Sequence, residues 1–213
     1  MAAASFVRNG KKIVAIGRNY IDHVKELNNA IPKEPFFFLK PTTSYLLSGG
    51  NVEIPRGVVA HHEVELGLVI GKTGRDISQE NAESYIAGYA LAVDMTARNF
   101  QDEVKKKGLP WSTVKGFDTF TPVSSFIPKS EVADPHNLNL WLKASEAEWS
   151  NFRYDVPYPS FDRARIVHHD IGGPLVPGDQ VVCGLADATT KQELVKLEFG
   201  VVARNAGYLY QPQ

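Results

Sequence analysis

Short apolar runs of the β-strand type follow one another along this chain, and they limit its possible folds more than any other feature. The clearest of these runs are KKIVAIG (11–17), PFFFLKP (35–41), GGNVEIP (49–55), EVELGLVIGK (63–72), PGDQVVCG (177–184) and LVKLEFGVVA (194–203). A parallel doubly wound sheet would need regular alternation of helices and strands, which the sequence does not show. The sequence therefore predicts a β-rich α+β fold with a folded sheet and few short helices.

Helical patterns occur in only a few places. Residues 18–28 carry apolar side chains at helical spacing. Residues 78–96 begin like a helix capped by Ser78 and continue into the apolar strand YALAVDMT. Residues 97–108 predict a short helix with Thr96 as its cap, because three lysines and a glycine close the segment.

The bulk composition suits one globular domain over residues 1–213, with a flexible start over residues 1–10, because 43% of the residues are hydrophobic. A net charge of −1 provides no field that would recruit nucleic acid or an anionic membrane. The single cysteine, Cys183, excludes an internal disulfide and fits a reducing compartment. No acidic residue precedes Asp22, which is typical of a mitochondrial transit peptide but also of an ordinary disordered start.

Two glutamates interrupt the most strand-like run. Strand side chains alternate between faces, so Glu63 and Glu65 share one face and Val64, Leu66 and Leu68 take the other. Adjacent carboxylates in a dry setting repel each other and lose hydration. Protonation of one glutamate, neutralisation by basic side chains or a bound cation would relieve this, whereas a solvated sheet edge would need no relief.

A lone acid, Asp94, interrupts the second apolar strand, and lone acids in such strands are costly and often functional. Together with Glu63 and Glu65 it would form an oxygen-only ligand set, which suits Mg²⁺ better than soft metals. About 30 residues separate Asp94 from the glutamates, and spacing alone does not predict that they meet.

A second group of residues allows acid–base chemistry. His23 and Glu26 lie three apart on a predicted helix, either as a general base with its orienting carboxylate or as an exposed pair. Lys115 lies among apolar residues, where burial would lower its pKa or where it would hold an anion. Arg98 and Gln101 share a helix face and would either bind a carboxylate or be solvated.

Several segments together resemble the fumarylacetoacetate hydrolase family, in particular its small members of the acylpyruvase and oxaloacetate decarboxylase type. The matching segments are IVAIGRNYIDHVKEL, PFFFLKPTTSY, HHEVELGLVIGK, GYALAVDMTARNFQDEVKKKGLPWSTVKGFDTFTPVS and DPHNLNLWLK. They cover residues 12–143 almost continuously. The combination of HHEVELG, DMTARN and KGLPW followed by KGFDTF is highly specific.

The resemblance implies a mixed, rolled β-sheet, a homodimer and a Mg²⁺ site, with Mn²⁺ as the alternative ion. It also implies a role for each matching residue: Glu63, Glu65 and Asp94 as metal ligands, His23 and Glu26 as the general-base pair on a lid-like helix, Lys115 as the active-site lysine, and Arg98 and Gln101 near the substrate.

The implied activity is hydrolysis of acylpyruvates, or decarboxylation or keto–enol tautomerisation of oxaloacetate. The partner is then a small α-keto acid, with neither nucleic acid nor membrane involved. The implied location is mitochondrial, with the cytoplasm as the alternative. Two further readings stay open: a catalytically weakened homologue that serves as a metal-containing binding or scaffold protein, and a sugar-acid hydratase or lyase of the same superfamily.

The resemblance weakens after residue 143, so that residues 144–213 are divergent. LADATTKQ (185–192) stands where the family pattern has a TPxGVG loop, whose threonine and glycines resemble donors to the substrate carboxylate. Leu185 replaces that threonine and cannot donate, while Thr189 or Thr190 are candidate substitutes. A different substrate, a weakened relative or an altered C-terminal segment would each account for this divergence.

Overall fold

The computed structural model describes residues 5–17, 36–145, 150–153 (backbone only) and 174–212. Its strands are β1 (Ile13–Gly17), β2 (Phe36–Lys40), β3 (Tyr45–Leu47), β4 (Asn51–Ile54), β5 (Ala60–His61), β6 (Val64–Ile70), β7 (Ile86–Val93), β8 (Thr96–Ala97), β9 (Thr121–Val123), β10 (Ile127–Pro128), β11 (Leu138–Ala144), β12 (Ser150–Arg153), β13 (Gln180–Asp187) and β14 (Glu193–Ala203). Its α-helices are α1 (Phe6–Asn9), α2 (Gln79–Ala82), α3 (Arg98–Lys106) and α4 (Ser112–Lys115). Within these ranges, no helix is long and apolar enough to cross a bilayer.

Two five-stranded sheets organise the described part of the chain. One has the order β10-β7-β9-β3, with β6 also paired to β7, and the other has the order β12-β11-β13-β14-β4. The pairs β3–β9 and β4–β14 are parallel, whereas the other pairs within these two sheets are antiparallel. The prediction of a β-rich α+β fold with mixed sheets and short helices is therefore confirmed.

Apolar side chains from both sheets fill the core. Fully buried examples are Leu91 and Val93 on β7, Leu138 and Leu140 on β11, Cys183 and Leu185 on β13, and Leu197 and Phe199 on β14. Burial of apolar surface is the main favourable term in folding, so these residues hold the two sheets together. Burial also raises the pKa of the Cys183 thiol, which marks this cysteine as a packing residue rather than a nucleophile.

Three local expectations are wrong. Strand alternation predicts that Leu68 is buried on the same face as Val64 and Leu66, but Leu68 is 40% exposed because no element in the described part of the chain covers the sheet at this end of β6. Thr96 does not cap the helix at 98, because it pairs with His61 in the β5–β8 ladder and Ala97 precedes the helix. Ser78 does precede α2, but its side chain makes no capping hydrogen bond.

Candidate metal centre and active site

Strand pairing brings together acids that lie far apart in the sequence. In the antiparallel ladder of β6 and β7, Val64 lies opposite Val93. Glu63 and Asp94 flank this pair, and the Asp94 backbone N–H donates to the Glu63 carbonyl at 2.7 Å. One carboxylate oxygen each from Glu63, Glu65 and Asp94 lies within 4.8 Å of the others. The structure therefore places these predicted ligands in one cluster, which spacing alone could not establish.

The acids in this cluster are poorly hydrated. Asp94 is 5% exposed, and both glutamates are partly buried. Burial raises the pKa of Glu65 well above its ordinary value, and the charges of Asp94 and Glu63 raise it further. The raised pKa favours the protonated form of Glu65, which would relieve part of the repulsion between the carboxylates.

A buried lysine from α4 supplies a second form of relief. The Lys115 Nζ donates to Glu63 Oε2 at 2.7 Å and to Asp94 Oδ2 at 2.6 Å. Burial opposes the charged form, but the charges and hydrogen bonds of these two carboxylates outweigh it and raise the pKa of Lys115. Of the two interpretations left open by the sequence, the structure supports a lysine that holds anions.

Lys40, at the end of β2, is a site residue that the sequence analysis missed. Its Nζ donates to Asp94 Oδ1 at 2.5 Å and to the Phe120 carbonyl at 2.7 Å. Burial lowers the pKa of Lys40, against the opposing effect of Asp94. The available signal was strand alternation, because Lys40 lies two residues after the buried Phe38 and follows it into the interior.

The predicted pair on α3 also adjoins the acids. Arg98 Nη1 donates to Gln101 Oε1 at 2.8 Å, and Arg98 Nη2 lies 3.3 Å from Glu63 Oε1. Thr96 Oγ1 lies 3.5 Å from the same Glu63 oxygen, which explains where this hydroxyl goes instead of capping the helix. Gln101 is buried, while the Arg98 side chain is 18% exposed. Arg98 is therefore the more accessible donor of the pair.

The predicted general-base pair, His23 and Glu26, lies outside the described residues. Its role stays a prediction from the sequence.

The donor set fits a hard divalent cation. Its three candidate ligands offer only carboxylate oxygens, which suit Mg²⁺ or Mn²⁺ better than thiophilic metals. Lys115 contacts two of the same carboxylates, so its ammonium group already offsets part of their negative charge.

The segment that diverges from the family pattern forms a tight turn between β13 and β14. Leu185 is fully buried in β13 and lies opposite Leu140. The Asn137 side-chain amide donates to Thr189 Oγ1 at 2.7 Å, and Thr190 Oγ1 donates to Asp187 at 3.1 Å. The hydroxyls of both candidate substitutes are therefore used within this turn and its neighbour, so the prediction that one of them replaces the missing donor gains no support.

Comparisons with known proteins agree with this architecture. Residues 12–204 match the family described as fumarylacetoacetate hydrolase C-terminal. The mitochondrial oxaloacetate decarboxylase of Dictyostelium discoideum is 44% identical, with 93% of this chain and 97% of that protein covered. The mitochondrial oxaloacetate tautomerase FAHD1 of Bos taurus is also 44% identical, over 83% of this chain and 87% of that protein.

A solved structure shows the same fold. The fumarylpyruvate hydrolase of Pseudomonas aeruginosa, in complex with Mn²⁺ and pyruvate, superposes with a TM-score of 0.70 at 26% identity, with 91% of this chain and 90% of that chain covered. The match covers most of both chains, and together with the family match it confirms the resemblance seen in the sequence. The chain belongs to the fumarylacetoacetate hydrolase family.

Proposed function

We propose that this chain is a metal-dependent enzyme that acts on a small α-keto acid, by hydrolysis of acylpyruvates or by decarboxylation or tautomerisation of oxaloacetate. The observation that carries the proposal is the cluster of Glu63, Glu65 and Asp94, with buried and partly buried cationic side chains at its edge. The names of the relatives, which act on oxaloacetate and on fumarylpyruvate, support this substrate class.

Glu63, Glu65 and Asp94 would hold the cation, for which we propose Mg²⁺ with Mn²⁺ as the alternative. When bound, such an ion supplies Lewis acidity towards the oxygens of a keto acid and stabilises negative charge that develops on them.

Lys115 would supply a fixed positive charge next to the substrate. Its ammonium group is held charged by two carboxylates, so at neutral pH it acts as a hydrogen-bond donor and not as a base. A donor of this kind, fixed in a dry site, stabilises an oxygen on which negative charge develops.

Arg98 and Gln101 would orient the substrate. A guanidinium group can bind a carboxylate through two parallel hydrogen bonds, and the Arg98 side chain retains exposed surface for such a contact. Because Gln101 accepts a hydrogen bond from Arg98, it fixes the direction in which the guanidinium points.

His23 and Glu26 are proposed as the proton-transfer pair. The imidazole would accept a proton from the attacking water in hydrolysis, or shuttle one proton in tautomerisation, with the Glu26 carboxylate as its orienting partner. Decarboxylation needs no attacking water, and its dependence on His23 would accordingly differ from that of hydrolysis.

The test is a steady-state assay of purified protein with oxaloacetate and with acetylpyruvate, each with Mg²⁺, with Mn²⁺ and with a chelator. We expect turnover that requires the divalent ion and is lost in Glu63→Gln and Asp94→Asn. No metal-dependent turnover on either keto acid would contradict the proposal, while turnover on a sugar acid alone would favour a hydratase or lyase of the same superfamily.

One observation favours a second candidate, a metal-containing binding protein with weakened catalysis. Leu185 is buried in the core at the position of the expected donor, and a tight turn follows in place of a glycine-rich loop. Calorimetry with oxalate in the presence of Mn²⁺ separates the two candidates, because this one predicts ligand binding without turnover.

We also propose that the chain folds as one domain over residues 1–213, forms a homodimer and acts in mitochondria. Relatives that are named mitochondrial support the location. Leu68 and Ile70, at the end of β6, are exposed apolar side chains, and a second copy of the chain would cover them in the proposed homodimer. Light scattering after size-exclusion chromatography tests the dimer, limited proteolysis tests the single domain, and an import assay with isolated mitochondria tests the location.

A further inference from the structure

We propose that the C-terminal segment, residues 204–210, positions helix α3 so that Arg98 and Gln101 can hold the substrate. Tyr210 is its main positioning residue. The inference rests on the proposed function, because it assigns the segment a role at the same substrate site.

The C-terminal segment is fastened to the loop of residues 56–59. Arg56 Nη2 donates to the Gly207 carbonyl at 2.9 Å, and the Tyr210 backbone N–H donates to the Arg56 carbonyl at 2.9 Å. Gly57 has a φ of +76°, and a Cβ added there would lie 2.3 Å from the Tyr210 carbonyl oxygen. Only glycine satisfies both this conformation and this close approach, so loop and segment are fitted to each other.

The same loop holds the start of α3. The Asn99 side-chain amide donates to the Gly57 carbonyl at 2.8 Å, and its oxygen accepts from the Val59 backbone N–H at 3.0 Å. The Arg98 backbone N–H donates to the Val59 carbonyl at 2.8 Å. A displacement of the loop would therefore also displace Arg98, the residue that contacts Glu63.

Tyr210 also contacts α3 directly. Its hydroxyl donates a hydrogen bond to the Glu103 carboxylate and lies 3.4 Å from the Asn99 carbonyl. Its ring packs on Phe100 at a centroid distance of 5.0 Å, and Tyr208 stacks on the same ring at 6.3 Å. Tyr210 is 5% exposed, so this aromatic contact is a buried one.

Helix α3 therefore makes different contacts on two of its sides. On one side, Arg98 contacts Glu63 of the carboxylate cluster and Gln101 contacts Arg98. On the other side, Asn99, Phe100 and Glu103 contact the loop and the C-terminal segment. A helix of nine residues is marginal by itself, and no side chain caps the start of α3. Its orientation must come from tertiary contacts, and small errors in the placement of a substrate-binding group are costly.

The experiment compares Tyr210→Phe with Tyr208→Phe in the full chain. The first variant removes the hydroxyl that contacts Glu103 and keeps the ring, while the second makes the same change on a tyrosine that is 43% exposed. With oxaloacetate and saturating Mn²⁺, we expect Tyr210→Phe to raise KM about threefold or more, which is only a part of the effect of a lost hydrogen bond to a charged group, because Tyr210 acts on the substrate site indirectly. We expect kcat to change less than KM and the affinity for Mn²⁺ to stay unchanged.

Three results overturn the inference. The first is a KM for Tyr210→Phe equal to that of Tyr208→Phe. The second is a fall in kcat with no change in KM. The third is a loss of Mn²⁺ affinity in parallel with KM, which would indicate general unfolding. Should Tyr210→Phe be too unstable, Glu103→Gln is compared with Tyr208→Phe instead. This variant keeps an acceptor for the Tyr210 hydroxyl but removes its charge, so we expect a smaller rise in KM.

Calorimetry with oxalate separates this inference from the proposed reaction. If the wild type binds oxalate with Mn²⁺ but shows no turnover, the proposed reaction fails. The inference is then judged by whether Tyr210→Phe binds oxalate more weakly than Tyr208→Phe does. If the wild type does not bind oxalate, both the inference and the proposed function are overturned.

Discussion

Lys40→Met should make the stability of this protein depend on the divalent ion. The substitution keeps most of the side-chain volume but removes the ammonium that donates to Asp94 Oδ1 and to the Phe120 carbonyl. Both Lys40 and Asp94 are nearly inaccessible to solvent, so water does not replace the lost contact. The variant is left with a buried carboxylate that has lost one of its two lysines.

The size of the effect follows from this burial. Removal of one partner of a buried ion pair costs about 3–5 kcal/mol, and the lower end applies because Lys115 still contacts Asp94 Oδ2. For a chain of this size, each kcal/mol corresponds to about 2–4 °C in Tm. We therefore expect the metal-free variant to melt about 6–12 °C below the wild type.

A divalent ion should recover part of this loss, because it supplies positive charge to the same carboxylates and binds only the folded state. Thermal unfolding with a chelator and with a series of Mg²⁺ concentrations measures both effects. Lys129→Met is the matched control, since Lys129 forms an exposed ion pair with Glu83 and should cost less than about 1 kcal/mol. Equal melting temperatures for the two variants, or a Mg²⁺-induced shift no larger than that of the wild type, would refute the reasoning.

Three further predictions concern the same site. Glu65→Ala should abolish Mg²⁺ binding and turnover, and unchanged affinity in calorimetry would contradict its role as a ligand. Because burial and two neighbouring charges raise the pKa of Glu65 in the folded state, the unfolded chain loses this proton first. The stability of the metal-free protein should therefore fall as the pH rises from the ordinary glutamate pKa through the raised one. Glu65→Gln should flatten that slope in urea unfolding, and an unaltered slope would assign the effect to other groups. His23→Ala should retain metal binding but lose acylpyruvate hydrolysis, and wild-type hydrolysis rates would exclude it as the base.

Local pattern was sufficient to predict half of the strands in the described part of the chain. The apolar runs at 35–41, 49–55 and 63–72 became β2, β4 and β6 because each is short, dominated by strand-forming residues and bounded by turn residues. The shared face of Glu63 and Glu65 followed from strand alternation alone. The meeting of Glu63 with Asp94 did not, because it depends on the pairing of two strands across a long connection.

Tertiary context explains what the pattern missed. A lysine at the end of an apolar strand is normally at the surface. Lys40 can be buried because Asp94 and the Phe120 carbonyl accept hydrogen bonds from its ammonium group. Leu68 shows the opposite deviation. It lies on the apolar face of β6 but is exposed, because no other described element covers the sheet there. Tyr210 carried no periodic signal at all, and its contact with Glu103 could only be seen in three dimensions.

The part of the chain that supplies the contacts of the carboxylate cluster affects how such a protein can evolve. The hydrogen bonds described above for Glu63, Asp94, Lys40 and Lys115 join residues that lie between positions 40 and 120. Substitutions in the late strands that leave these residues unchanged would therefore not remove any of these hydrogen bonds. A change of ligand preference that arises in the late strands would then be independent of the proposed ion site.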